Sequence, residues 1–442
     1  MNNWRKYKLG EIAEITSSKR IFLADYVSEG IPFYRSKEVI ERFNKNKIST
    51  ELFIEKSKFQ EIKNKFGAPK EDDLLLTSVG TIGIPYLVQK KDEFYFKDGN
   101  LTWFKNYSNN ILPKYLFYWI QSPIGKDALV KTIIGSTQQA LTIVSLKQVE
   151  ISLPDLPTQS RIARILTSFD DKIELLQQMN QTLETMAQAI FKEWFVDFNF
   201  PGFDGVLVDG LPKGWRSESI DKDIEFLNGL ALQKFPPLNN DDFLPVIKIR
   251  EMRQGISNSS DKASVEIPEK YIIKDGDVLF SWSGSLEVII WCNGKGALNQ
   301  HLFKVSSTKY PKWFYFYWTK HYLPAYQSIA SDKATTMGHI QRKHLAESII
   351  NIPDLETFKK ANNLLEPIIE KIINNSTQIQ SLTHLRDTLL PRLMSGAVAV
   401  SAGFSWDSLD LADSGALSEL SAKSPEKQTT TNNKTWQYGN TI

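Results

Sequence analysis

Gly135-Ser-Thr-Gln-Gln-Ala-Leu-Thr-Ile-Val-Ser-Leu146, running on to Leu153-Pro154-Asp155-Leu156, has a counterpart later in the chain. It is Ala334-Thr-Thr-Met-Gly-His-Ile-Gln-Arg-Lys-His-Leu345, running on to Ile352-Pro353-Asp354-Leu355. The shift is 353 − 154 = 199 residues, without a gap. The same shift carries Asn100 onto Asn299, Phe104 onto Phe303, and Phe117-Tyr118-Trp119 onto Phe316-Tyr317-Trp318. Upstream the offset drifts, as loops allow. Ile31-Pro32 answers to Leu244-Pro245, and Glu71-Asp-Asp-Leu-Leu-Leu-Thr-Ser-Val-Gly80 to Asp275-Gly-Asp-Val-Leu-Phe-Ser-Trp-Ser-Gly284. Self-similarity of this kind is read before any local motif. The chain is two copies of one unit.

Each copy closes on a long helix. From Ile162 the apolar ladder is Ile162, Leu166, Phe169, Ile173, Leu176, Asn180, Leu183, Ala187, Ile190, Trp194. Its steps alternate four and three, a narrow heptad seam of the coiled-coil kind. Adding 199 gives Ala361, Leu365, Ile368, Ile372, Asn375, Ile379, Leu382, Arg386, Leu389, Leu393, which only Arg386 interrupts. Thr158 or Ser160 is the expected cap of the first helix. Two such helices in a duplicated chain are expected to pair antiparallel about a pseudo-two-fold axis, with Asn180 and Asn375 on the seam to penalise wrong registers. The residues assigned to the coiled coil and to subunit docking are Ile173, Asn180, Leu183, Trp194, Phe195, Ile372, Asn375, Leu382, Arg386 and Leu389. Ile162 to Trp194 spans 194 − 162 = 32 rises, roughly 48 Å of rigid ruler.

The opening part of each copy mixes short β-branched and aromatic runs with turn signals such as Lys274-Asp275-Gly276-Asp277, which predicts a compact unit with an irregular or antiparallel sheet. Helical stretches over residues 113–121 and 311–320 are expected to pack their aromatic faces inward. The fold class is therefore α/β (α+β): two similar domains separated by two long antiparallel coiled-coil helices. The expected boundaries are 1–157 for the first domain, 158–198 for the first helix, 199–356 for the second domain and 357–396 for the second helix. Residues 397–442, rich in Ser, Thr, Asn and Lys, read as a mostly disordered tail.

Composition excludes several classes. A chain of 442 residues exceeds a single hydrophobic core. No apolar run approaches membrane-spanning length, and Met1-Asn2-Asn3-Trp4-Arg5-Lys6 has no signal-peptide core. The single cysteine, Cys292, fits a reducing cytoplasm and reads as a small buried hydrophobe. Net charge is +2, unevenly spread: residues 1–150 carry 23 Lys+Arg against 17 Asp+Glu, and residues 200–352 carry 18 against 17. No P-loop or methyl-donor fingerprint occurs, and Phe235-Pro236-Pro237-Leu238 reads as a loop. Glu71-Asp72-Asp73 and Asp275-Gly276-Asp277 stand where turns want them. Of five histidines only His339 and His344 are near each other, and no metal site is expected. A large duplicated chain with a ruler and no catalytic set reads as a binding scaffold.

Asp170-Asp171-Lys172-Ile173-Glu174-Leu175 and the run from Met179 through Lys192-Glu193-Trp194-Phe195-Val196-Asp197-Phe198 resemble the central conserved region of type I restriction–modification specificity subunits. Ser381-Leu382-Thr383-His384-Leu385-Arg386-Asp387-Thr388-Leu389-Leu390-Pro391-Arg392-Leu393-Met394-Ser395-Gly396 resembles their distal conserved region. The resemblance covers Trp4 to Gly396, and the tail beyond departs from the family. It implies two target recognition domains, each reading half of a split double-stranded DNA sequence. It also implies helices that dock two methyltransferase subunits, a restriction subunit that can join, and no enzymatic activity in this chain. S-adenosylmethionine, ATP and Mg²⁺ are then expected only on partner subunits. Base-reading residues do not carry over, because these domains vary within the family. Candidates from the residues themselves are Arg35, Lys37, Lys248, Arg250 and Arg253, following equivalent strand-like segments, with Ser136, Thr137, Gln138, Thr335 and Thr336 in equivalent polar loops. A coiled-coil adaptor joining proteins without reading DNA is the alternative.

Overall fold

In a computed structural model the structure describes residues 4–133, 139–239, 241–331 and 338–398. Ser136, Thr137, Gln138, Thr335 and Thr336 lie outside the described residues, as do residues 399–442 of the tail.

The chain divides into two compact units, and the division cuts through both long helices. The first unit takes the chain up to Asp170 and again from Leu385, and the second runs from Asp171 to His384. This differs from boundaries drawn at helix ends. Each helix contributes one stretch to the core of one unit and the remainder to the other.

In the first unit, strand Glu14–Thr16 opens a sheet in the order Glu14–Thr16, Leu101–Lys105, Leu74–Thr77, Pro85–Leu87. A second sheet runs Tyr26–Val27, Phe53–Ile54, Ile31–Tyr34, Tyr95–Phe96. Strand Arg5–Lys8 returns to pair with Glu150–Leu153. The second unit repeats this plan. Its sheets run Glu225–Asn228, Leu302–Ser306, Val278–Ser281, Val288–Ile290, and Lys262–Ala263, Leu244–Ile247, Gly296–Leu298, Ile272–Ile273. Arg216–Ser219 pairs with Ile349–Ile352. One parallel pair interrupts the antiparallel pattern in each copy, Phe33 opposite Tyr95 and Val246 opposite Ala297. The first unit also carries a lysine-rich helix, Lys56–Phe66, directly after strand Phe53–Ile54 of its second sheet.

The long helices span Leu156–Phe191 and Leu355–Met394. Their caps are not Thr158 or Ser160. Asp155 Oδ1 accepts the Thr158 amide at 3.0 Å, and Asp354 Oδ1 accepts the amides of Glu356 and Thr357 at 2.9 and 3.0 Å. Both aspartates occupy the same place in the repeat, so one capping device starts both helices. Every ladder residue from Ile162 to Trp194 and from Ala361 to Leu393 is buried or half-buried.

In the second unit the two helix segments pack together, Ala187 and Phe191 sharing a core with Ile369, Leu365 and Ala361. Asn375, fully buried, donates through Nδ2 to Asn180 Oδ1 at 2.9 Å. Asn180 donates to Ser376 Oγ at 3.0 Å and to the Ile372 carbonyl at 3.3 Å. In the first unit the interruption at Arg386 is explained by Asp170, whose Oδ1 takes Arg386 Nη1 at 2.8 Å while its Oδ2 takes the Tyr118 hydroxyl at 2.6 Å.

Trp194 and Phe195 lie beyond the regular part of the first helix. After Phe191 the helix widens into a π-type turn, Lys192–Val196. The wider i→i+5 turn breaks the heptad phase. Both rings sink into the aromatic core of the second unit, with Phe195 at 5.4 Å from Trp313 and 5.9 Å from Trp215. Both are core residues of this chain.

Candidate nucleic-acid interface

The central strand of each unit's second sheet ends in a basic residue that begins a short helix. In the first unit Ile31–Tyr34 leads to Arg35 and the helix Ser36–Phe43. In the second, Leu244–Ile247 leads to Lys248 and the helix Ile249–Gln254. Three positions past the cap, each copy buries a glutamate. Glu38 accepts the Arg35 amide at 2.7 Å and Arg35 Nη2 at 2.9 Å. Glu251 accepts the Lys248 amide at 3.1 Å, Arg250 at 2.9 and 2.7 Å, and Ser260 Oγ at 3.1 Å.

A buried carboxylate needs such partners, because desolvation without them costs several kcal/mol. Arg35 and Arg250 therefore hold their own turns together first. Lys248 pairs with Asp261 and Arg253 with Glu287, both partly exposed. Lys37 is exposed. The sequence reading placed these cations just after equivalent strand-like segments, and Arg35 and Lys248 do follow such strands. It did not show that four of the five carry acidic partners, because Glu287 and Asp261 arrive from other segments.

An open depression of about 660 Å³ adjoins this turn in the second unit, lined by Gln233, Lys248, Asp261, Lys262, Asn299 and His301 among others. His301 anchors its floor. Its Nδ1 faces Ser283 Oγ at 3.0 Å, and its amide donates to Asn299 Oδ1 at 3.2 Å. The Trp282 ring lies 5.8 Å from His301, and its Nε1 donates to Asn228 Oδ1 at 2.9 Å. Ser283 bridges to His339, so the chain leaving residues 332–337 returns to this edge. In the first unit Val79 bridges to Ala140 in the same way, beside residues 134–138. The turn residues Gly80 and Gly83 there have φ of 77° and 85°, a left-handed backbone that suits glycine.

In the second unit Lys248 and His301 thus line one depression, and Ser283, which contacts His301, bridges to His339. Such an edge can offer donors and acceptors to base edges and phosphates. Gln233, Trp282, Ser283 and His301 were not singled out from the sequence. The available signal was the alignment of the copies at Ser-Val-Gly80 and Ser-Trp-Ser-Gly284.

The remaining chemistry is structural. Burial pushes the Cys292 thiol up to about 11. Among the described residues no three His, Cys, Asp or Glu side chains gather as metal ligands. His344 accepts the Gln341 amide at 3.0 Å as part of a helix start. Asp73 and Asp277 close turns by accepting the amides of Lys70 and Lys274 at 3.1 and 2.8 Å. Among the described residues no helix is long and apolar enough to cross a membrane.

Comparison with known proteins adds the following. Residues 1–185 and 212–384 match the family described as the type I restriction modification DNA specificity domain. The type I restriction enzyme MjaIX specificity subunit of Methanocaldococcus jannaschii is 29% identical over 342 residues, covering 74% of this chain and 78% of that protein. The HindI specificity subunit of Haemophilus influenzae is 24% identical, covering 90% of this chain and 100% of that protein. A crystal structure of the S subunit of a type I restriction–modification system from M. genitalium has a TM-score of 0.58 at 14% identity, covering 89% of this chain and 96% of that one. The last likeness is one of fold.

Proposed function

This chain belongs to the type I restriction–modification DNA specificity family, and from that membership we infer that it is the subunit that reads a bipartite DNA target for a modification complex. The observation carrying this reading is the duplication. The family match falls once on each copy, and each copy builds a similar pair of four-stranded sheets and a basic strand end. One unit would read each half of the target. Phosphate contacts would set position, and the edge around the hairpin would supply discrimination.

The long helices would dock two adenine methyltransferase subunits, and a restriction subunit could bind on top of that assembly. We place S-adenosylmethionine, ATP and Mg²⁺ on those partners and none on this chain. The sequence supports this through its lack of any P-loop or methyl-donor fingerprint. Within this reading the chain is non-catalytic and works in the cytoplasm, where the DNA and its partners are. Exposed apolar side chains on the helices, Leu175, Met186 and Leu364 at 46–50% exposure, are suited to partner contacts.

The test is reconstitution. Purified methyltransferase subunits with S-adenosylmethionine should methylate a duplex at specific adenines only when this chain is added. Turnover by the chain alone, abolished by a point mutation within it, would overturn the non-catalytic assignment. Specific methylation without the chain would overturn its role as the reader.

A further inference from the structure

The first sheet of each unit hands over to the second through a loop whose tip is apolar and exposed. In the first unit the loop follows strand Glu14–Thr16 and presents Phe22 at 64% and Leu23 at 84% exposure. In the second it follows Glu225–Asn228 and presents Phe235 at 37% and Leu238 at 73%. Taking Ile31 onto Leu244 as the local offset, Phe22 falls on Phe235.

Single exposed hydrophobes are ordinary on a protein surface. These differ in three respects. They come in pairs, they recur at the same topological position in both copies, and the segments leading into them are fixed by hydrogen bonds. In the first unit Ile21 is a buried root, Ser18 Oγ donates to the Phe96 carbonyl at 2.7 Å, and the Lys19 amide donates to the Tyr95 hydroxyl at 2.8 Å. The Phe22 amide donates to Asp25 Oδ2 at 3.0 Å and the Phe22 carbonyl receives the Asp25 amide at 3.0 Å. In the second unit Leu232 is the buried root, the Phe235 amide bonds the Leu232 carbonyl at 2.9 Å, and the Phe235 carbonyl receives the Ser264 amide at 2.9 Å. An apolar tip held this firmly is presented, not left over.

Charge selects the occupant. Immediately before the tips stand the exposed cations Lys19 and Arg20 in one copy and Lys234 in the other. Lys19 Nζ lies over the Phe66 ring at 5.2 Å, at the end of the lysine-rich helix. In the first unit the nearby acids are already engaged, Asp98 by Arg20 at 2.8 Å and Asp25 by Lys58 at 3.8 Å, while in the second the exposed Asp241 and Asp242 follow the tip. In the second unit the loop forms part of the rim of the depression that holds Lys248 and Lys262. A rigid apolar tip among cations fits a duplex, whose phosphates meet the cations while the tip enters a groove and partly unstacks a base step.

We propose that Phe22-Leu23 and Phe235-Leu238 are wedge residues that insert into the duplex, one wedge per half-site. This rests on the DNA-reading function above. The test uses the full chain with its methyltransferase subunits and a duplex carrying the selected target, scanned with 2-aminopurine. The variants are Phe22→Ala/Leu23→Ala and Phe235→Ala/Leu238→Ala. Beyond the adenine extruded for methylation, the parent complex should brighten 2-aminopurine at one further step in each half-site. Each variant should lose the signal in its own half-site only, with binding weakened about tenfold or more and assembly with methyltransferase subunits unchanged.

Unchanged affinity and unchanged fluorescence in both variants would overturn the wedges while leaving the DNA-reading function intact. Loss of subunit assembly with DNA contacts preserved would assign the tips to a protein partner and equally overturn the proposal. Failure of the parent complex to bind any duplex selectively would overturn both readings.

Discussion

Asp354 shows what one side chain contributes to the start of a 40-residue helix. Burial pushes its carboxyl up, but hydrogen bonds from the Thr357 amide and hydroxyl and the Glu356 amide outweigh this and hold it below the ordinary range. A depressed carboxyl stabilises the fold above its unfolded pKa, near 3.9, and that contribution fades as pH falls through the lower folded value. Asp354→Ala should cost about 1 kcal/mol at neutral pH, read from the urea transition of tryptophan fluorescence. The difference from the parent should narrow below about pH 4. Cys292 makes the opposite kind of prediction. Its thiol is buried and pushed to about 11, and the thiolate is the reactive form. At pH 8 the native protein should react slowly with a thiol reagent and the urea-unfolded chain rapidly; equal rates would show that Cys292 is not buried. At the same scale, Glu251→Ala should destabilise the second unit by about 2 kcal/mol, because it strips partners from a buried turn. A neutral result would show that Arg250 and Lys248 are not held there.

The helix pair is the element whose form was most legible from sequence, and the reason is periodicity. A stripe repeating every 3.5 residues can only be satisfied along one face of a helix. What followed Phe191 was not legible, since a π turn has no local signature and is stabilised by distant rings such as Trp313 and Trp215. Unit boundaries were hidden for a similar reason. Residues from Leu385 belong with the first unit, where Arg386 pairs with Asp170, a long-range contact that no window of sequence contains. The candidate site was half legible: the copies aligned the strand ends, but the acids facing Lys248 and Arg253 come from elsewhere in the chain. The seam itself can be tested in the second unit. Asn180→Leu should cost about 2 kcal/mol, since it strands fully buried Asn375 without a partner. Asn180→Leu with Asn375→Leu should recover most of that loss, because no buried amide is left unpaired. Additive losses in the double-mutant cycle would mean that the two amides are not coupled.

At the scale of the whole molecule the account makes one claim above the others: two copies of a unit read two halves of one target. Binding by such a reader is built largely on phosphate contacts, so log K should fall steeply with log salt between about 50 and 200 mM. A flat dependence would favour the protein-adaptor alternative. The uneven charge of the copies, 23 against 17 in residues 1–150 and 18 against 17 in residues 200–352, adds that neutralising exposed lysines of Lys56–Phe66 should flatten the slope more than comparable changes in the second unit. The most direct measurement is selection from a random duplex library by the chain assembled with its methyltransferase subunits, repeated with the hairpin residues Trp282 and Ser283 replaced by alanine. The account predicts two short, different motifs separated by a stretch of unselected sequence, with only one motif altered or lost in the variant. Recovery of a single continuous motif, or an equal change in both motifs from a lesion in one unit, would contradict it.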